Sequence, residues 1–158
     1  MDDLRPFPED RRARATLVVW ADIPEPDDAD FNEWYNREHM RDRVVALPGF
    51  VRGRRYAAIE SAPAYLALYD VVDAGAFTSA EYVSLVSDPD PRSRYFITRF
   101  QNAYRTVSRI EFAYGEGEGG VAVLWALPAE EDAGRRDKLR ARVREVLTMP
   151  GMIAGQVV

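Results

Sequence analysis

The chain has 158 residues, is 47% hydrophobic and carries 21 basic against 26 acidic side chains, a net charge of −5. That length suits one compact domain or two small ones, and the acidic balance excludes a protein built to grip nucleic acid through a basic face. The absence of cysteine removes disulfides, thiolate nucleophiles and Cys-based metal sites, and one histidine cannot supply a multi-histidine metal site. No apolar run approaches the roughly 20 residues that a membrane helix needs. Residues 1–14 lack the apolar core of a leader peptide and read as a charged arm, so a cytoplasmic setting is expected, without a membrane or nucleic-acid partner.

Residues 16–23, TLVVWADI, read as a strand and are followed by an acidic, Pro-rich loop, PEPDDAD. A helix is expected from about Phe31, with Asp30 and Glu33 as its cap and return partner. Pro48-Gly49 ends that segment, and FVRGRRYAAIE (50–60) reads as a strand. AYLALYDVV (64–72) is the next strand. Thr78 and Glu81 form a second capping signature ahead of YVSLVS, and a further helical piece is expected over RSRYFITRFQNA (92–103). A last strand is read over YRTVSRIEFAY (104–114). The order βαββαβ predicts an α+β, ferredoxin-like unit over residues 15–113, with helices on one face of a four-stranded sheet.

GEGEGG (115–120) reads as a flexible linker, and its acids would repel phosphate, so residues 114–120 are assigned no nucleotide loop. The remainder echoes the beginning. VVWADIP (18–24) is matched by VLWALP (123–128), and LPGFVRG (47–53) by MPGMIAG (149–155), with Leu139, Val143, Val146 and Leu147 at helical spacing between them. Residues 121–158 therefore read as the βαβ start of a second repeat. In the usual strand order such a half-copy does not close its sheet, so it is expected to be completed by more polypeptide or by another chain.

FNEWYNREHMRDRVVALPGFVRGRRY (31–56) resembles the F-x-x-W-[YH]-x-x-x-H…PG-[FW]-x-x-x-x-R-[RY] segment of the EthD-like proteins, within the dimeric α+β barrel superfamily. The resemblance spans residues 16–113 and extends weakly over 121–158. It implies two ferredoxin-like sheets facing each other across a barrel, from two chains as a homodimer or from two halves of one chain as a tandem. It also implies a cavity for small, often aromatic ligands. Relatives include cyclases, cofactor-independent monooxygenases, lactone isomerases, haem-dependent enzymes and proteins without known activity. Members often carry proline two residues after the histidine; here that position is Arg41, so the helix is expected to run on and to change where His39 points.

On a straight helix of about 100° per residue, Phe31, Trp34, Tyr35, Glu38 and Val45 share one stripe, with Tyr35 and His39 stacked at its edge. Glu38 is the anomaly, because a carboxylate among aromatics is costly unless paired. The plain reading pairs Glu38 with an arginine of the next strand and leaves His39 partly exposed. The internal repeat offers a control. Counted back from Pro-Gly, the second copy has Arg136 in place of Trp34 and Ala141 in place of His39, so the fold does not need this pair. His39 then becomes a candidate general acid/base, with Glu38 or a tyrosine assisting and a neighbouring carboxylate raising its pKa.

Alternation puts Arg52, Arg54 and Tyr56 on one face of the second strand and Gly53 and Arg55 on the other. Arg54 or Arg55 would clamp a carboxylate or enolate oxygen, or else be salt-bridged or solvated. Trp34, Tyr35, Tyr56 and Tyr69 are the candidate walls, Tyr69 either offering its hydroxyl or packing under a helix. The expected function is a small enzyme without a cofactor, acting by acid/base chemistry on an aromatic or polyketide-like molecule as isomerase, cyclase, lyase or monooxygenase. A non-catalytic binder or accessory protein is the alternative. A haem enzyme with His39 as axial ligand is a third reading, for which no large apolar pocket is legible.

Overall fold

β1, Ala15–Asp22, is rich in β-branched and aromatic residues and runs through the middle of an antiparallel sheet. The computed structural model to which it belongs describes residues 13–115, 117–125 and 134–158. The chain forms two compact units, Ala13–Arg109 and a second that contains Ile110–Val158.

In the first unit β1 pairs with β3, Tyr65–Val71, on one side and with β4, Gln101–Arg109, on the other. The outer position is taken by β2, Phe50–Ala57, bonded to β3. The order β2-β3-β1-β4, all antiparallel, is the ferredoxin-like arrangement expected from the βαββαβ pattern. Alternate residues of β1 and β3 (Ala15, Leu17, Ala67, Tyr69 and Val71) pack against Phe31, Trp34, Tyr35, Phe77, Tyr82 and Phe96 of the covering segments. The opposite face gathers Val18, Leu66 and Leu68 with Trp20 and Tyr56. Two-residue periodicity thus delivers two apolar faces from the same strands.

The first covering helix begins as α1, Asp28–Trp34, and passes through a π-helical turn, Tyr35–His39, in which the Met40 N–H bonds back to Tyr35 O. It continues as α2, Met40–Val44. It runs on past Arg41, as the missing proline implied. α3, Ala80–Ser87, and α4, Pro91–Ile97, complete the layer. Two caps differ from expectation. Asp30 lies inside α1, whose N-cap is Asp27, and α3 is capped by Ser79, whose hydroxyl accepts from the Tyr82 N–H at 3.2 Å. Thr78 instead donates to Gly75 O. Both are one- to three-residue shifts, because Ser, Thr and Asp neighbours compete for the same role.

The strand read over 104–114 is two strands, split at Ile110 and Glu111. β5, Phe112–Gly115, belongs to the second unit and pairs with β6, Ala154–Val157. α5, Arg135–Leu147, lies between them in sequence. No strand forms over residues 121–125, where one was expected for VLWALP; its remaining residues, like the charged arm, lie outside the described residues apart from Ala13 and Arg14. No helix of the described residues is long and apolar enough to cross a membrane.

Candidate functional site

Trp34 is fully buried and Phe31 and Tyr35 nearly so, as their spacing on one helical stripe requires. The π-turn then resets the phase. Each residue in it advances less than on an α-helix, so residues beyond Tyr35 fall behind the 100° count. Glu38 is therefore not between the aromatics; it swings outward and forms an ion pair with Arg92, its side chain 45% exposed. Val45, placed on the packed stripe by a straight-helix count, is 77% exposed. His39 turns the other way, its ring centroid 4.5 Å from that of Trp34, 4.8 Å from Tyr35 and 6.4 Å from Tyr69.

The ring keeps part of its surface exposed, as the plain reading had it, yet the side chains packed around it reverse the expected electrostatics of the histidine. Desolvation first, and then the Arg43 guanidinium, push the His39 pKa down to about 3, against a weaker upward pull from Asp90. The imidazole is thus neutral at ordinary pH, and the carboxylate expected to raise its pKa does not do so, because Glu38 is committed to Arg92. Next to it the Tyr69 hydroxyl donates to the Tyr35 oxygen at 2.9 Å, both phenols buried. Burial raises the pKa of each, that of Tyr69 well above its ordinary value, so both stay protonated.

The two candidate arginines are separated by the sheet. Arg54 lies on the second face with Arg52 and Tyr56; both guanidiniums bond the buried Asp70 carboxylate, each at 2.7 Å. Arg55 points under the first helix, its guanidinium carbon 4.4 Å from the Tyr65 ring centroid, 4.6 Å from Tyr35 and 4.9 Å from Phe31. Its Nη1 donates to Asn32 Oδ1 at 2.7 Å and to Asn36 Oδ1 at 3.3 Å. Asn32 in turn donates to the Asp28 carboxylate and to the Tyr65 oxygen, while the Tyr65 hydroxyl donates to Asp28. Nε and Nη2 of Arg55 are buried and meet no acceptor among the described residues. Burial lowers the Arg55 pKa from its ordinary value, the nearby tyrosines and Asp28 opposing.

A cavity of about 10 Å³, room for about one water, lies against this guanidinium, lined by Phe31, Tyr35, Arg55, Tyr65 and Phe100 with Val19, Ala21 and Ala67 of the sheet. The structure thus packs His39, Trp34, Tyr35 and Tyr69 in one ring cluster, of which Tyr35 alone lines the cavity together with Arg55, and leaves Glu38, Arg54 and Tyr56 elsewhere. Sequence reasoning missed Asn32, Tyr65, Phe100 and the buried Arg43. Asn32 was legible in principle, one residue after Phe31 and a helical turn before Asn36, and both asparagines face Arg55. A haem held by His39 finds no space in this cavity, which is far smaller than a macrocycle and is not lined by His39. Among the described residues no group of three or more His, Asp or Glu is placed to hold a metal ion.

No family model matches the chain, and no curated protein matches it. Solved structures similar to it in trace include the following two. A variant of SnoaB, a cofactor-independent oxygenase from Streptomyces nogalater, superposes with a TM-score of 0.47 and 17% identity, covering 61% of this chain and 92% of its own. HapK from Hahella chejuensis superposes with a TM-score of 0.43 and 13% identity, covering 71% and 99% respectively.

Proposed function

We propose that the protein is a small enzyme that works without a cofactor, performing proton-transfer chemistry on an aromatic or polyketide-like molecule in an isomerisation, cyclisation or cleavage. The observation that carries this reading is the Nε and Nη2 edge of Arg55, buried without an acceptor among the described residues. It lies beside a cavity and within one aromatic cluster with a neutral imidazole and two protonated phenols. An unpaired buried guanidinium edge is costly, and an incoming oxygen removes that cost. Tyr35, which lines the cavity, is then the phenol that meets the guest, and the neutral imidazole packed against its ring acts beside it, a use of neutral histidine that needs no raised pKa. Phe31 and Phe100 supply apolar walls, and Trp34 packs behind them in the core. By the resemblance noted in the sequence, the cavity would work in a barrel made by two chains as a homodimer or by two halves of one chain, which light scattering at working concentration distinguishes.

The test is hydrogen–deuterium exchange at the α-carbon of a panel of aryl ketones in heavy water, followed by proton NMR. Wild-type protein accelerates exchange over buffer, and His39→Ala loses about 10²-fold of that acceleration. A second reading is a non-catalytic binder, favoured by the same low His39 pKa, since an imidazole titrating near 3 is a weak base. Ketone binding with exchange left at the buffer rate selects that reading.

A further inference from the structure

The cavity beside Arg55 holds about one water, whereas a pocket that takes an aryl ketone encloses roughly 300 Å³ or more. A guest of that class enters only where a wall gives way. Strands β1, β2 and β3 supply five of the lining residues and are tied together by their ladders. Phe31 and Tyr35 are almost fully buried, and Tyr35 is bonded to Tyr69. The remaining lining residue, Phe100, belongs to no helix or strand. It stands between the end of α4 at Ile97 and the start of β4 at Gln101, edge-on to Phe31 with centroids 5.8 Å apart.

The two ends of α4 are held differently. Its first turn is fixed by Asp90, whose carboxylate accepts from the Arg92 and Ser93 N–H groups at 2.9 and 3.0 Å, and by the ion pair of Arg92 with Glu38. Phe96 is buried, its ring stacked 4.9 Å from that of Trp34. Beyond it Ile97, Thr98 and Arg99 are exposed. Arg99 is tied through its N–H to Phe96 O at 3.0 Å and through its Nε to Asp27 Oδ2 at 2.6 Å, while Asp27 Oδ1 accepts from the Tyr95 hydroxyl at 2.8 Å. The Arg99 side chain is 43% exposed, so water competes for its carboxylate bond. After Phe100 the chain reaches the sheet through Asn102, in the left-handed region at φ +49°, where β4 shifts register against β1.

Resting on the reading of this cavity as a small-molecule site, we propose that Phe100 is its gate and the Asp27–Arg99 ion pair the latch, a guest entering when Arg99 releases Asp27 and Phe100 swings out of the lining. Tyr95 keeps its bond to Asp27 and Phe96 its place on Trp34, so the movement pivots about the end of α4 and leaves the sheet, the π-turn and Arg55 where they are. The closed form is the ground state, and the apparent affinity for a guest is the intrinsic one multiplied by the fraction of open molecules. Asp27 and Arg99 are positioning residues that act through Phe100.

The probe is 2-naphthol, its binding to the full chain followed by its fluorescence in stopped flow. Arg99→Gln raises the association rate constant at least about threefold, the scale on which a half-exposed ion pair shifts an open fraction. Phe100→Ala raises it about tenfold or more by removing the gate itself. Arg94→Gln, whose guanidinium bonds Asp88 and Pro89 O at the fixed end, leaves it at the wild-type value. Hydrogen exchange adds a measurement that needs no ligand. In Asp27→Asn, which keeps the shape of the side chain, the Arg99 amide exchanges at least about threefold faster, while the Arg94 amide, bonded to Asp90 O in the first turn, keeps its rate. Should Phe100→Ala fail to fold, Arg99→Gln and Asp27→Asn decide. An unchanged association rate in folded Arg99→Gln overturns the gate and leaves the cavity a binding site, and so does an Arg99 amide no faster in Asp27→Asn. No binding of 2-naphthol at millimolar concentration, even by folded Phe100→Ala, removes the small-molecule reading and the gate with it. Faster association in the variants of a protein that accelerates no carbon-acid exchange keeps this inference and removes only the catalytic reading.

Discussion

His39 packs against Trp34 and Tyr35, and that position sets how its proton equilibrium feeds into folding. Its folded pKa, about 3, lies below the ordinary value of 6.5, so between those values the unfolded chain takes up the proton first. Stability is then independent of this group above about pH 6.5 and falls as pH drops toward 3, with a slope of at most about 1.4 kcal/mol per pH unit. Because it is the single histidine, its imidazole proton resonances are assigned at once. They should stay in the neutral position from pH 8 to pH 5, and a midpoint near 6.5 in the folded protein would show an exposed ring. A titrating ring would also remove the basis for reading Arg43 as a charge that bears on it.

At the scale of elements, the π-turn and the strand beneath it are one arrangement. Gly53 of β2 lies under α2 so closely that a Cβ there would strike the Met40 thioether and come within 2.6 Å of Val44 Cγ2. The glycine lets the helix descend onto the sheet and keeps Arg55, two residues on, level with Phe31 and Tyr35. Gly53→Ala is expected to cost about 1–3 kcal/mol in urea denaturation, by overpacking. Met40→Ala, which vacates the space, should recover part of that loss in the double variant, since contacting residues couple. Strict additivity of the two changes would mean that helix and strand are not in contact here.

Across the described residues the two units share one local arrangement of glycines. Gly49 and Gly151, each following proline, both have positive φ, +80° and +86°. Gly155 of β6, like Gly53 of β2, sits under a helix, where a Cβ would approach Val143 Cγ1 to 2.9 Å. The glycines shared by the sequence echo thus serve one packing need, a helix lowered onto the strand after a left-handed corner. The second unit depends further on Gly115, at φ +81°, where a Cβ would run into the Ile153 carbonyl. Gly115→Ala should raise hydrogen-exchange rates at least about tenfold for the amides of β5 and β6, since a left-handed non-glycine residue alone costs roughly 1–2 kcal/mol. The amides of β1–β4 should keep their protection, and loss spread evenly over both sheets would show that the units do not fold as separate bodies.

From the sequence alone came the strand order class, the faces of β2 and β3, the two Pro-Gly corners and the aromatic stripe through Trp34. All of these follow from local periodicity and backbone sterics, which each segment carries in itself. Only the tertiary structure decided where His39, Glu38 and Val45 point, because one π-turn shifts the helical phase and nothing in the local pattern announces it. It alone also separated Arg54 from Arg55 by partner, Asp70 on one face and Asn32 on the other. The pKa of the imidazole belongs to the same class: it is set by desolvation and by Arg43, which depend on what surrounds the ring in space, whereas the sequence shows only what adjoins it along the chain.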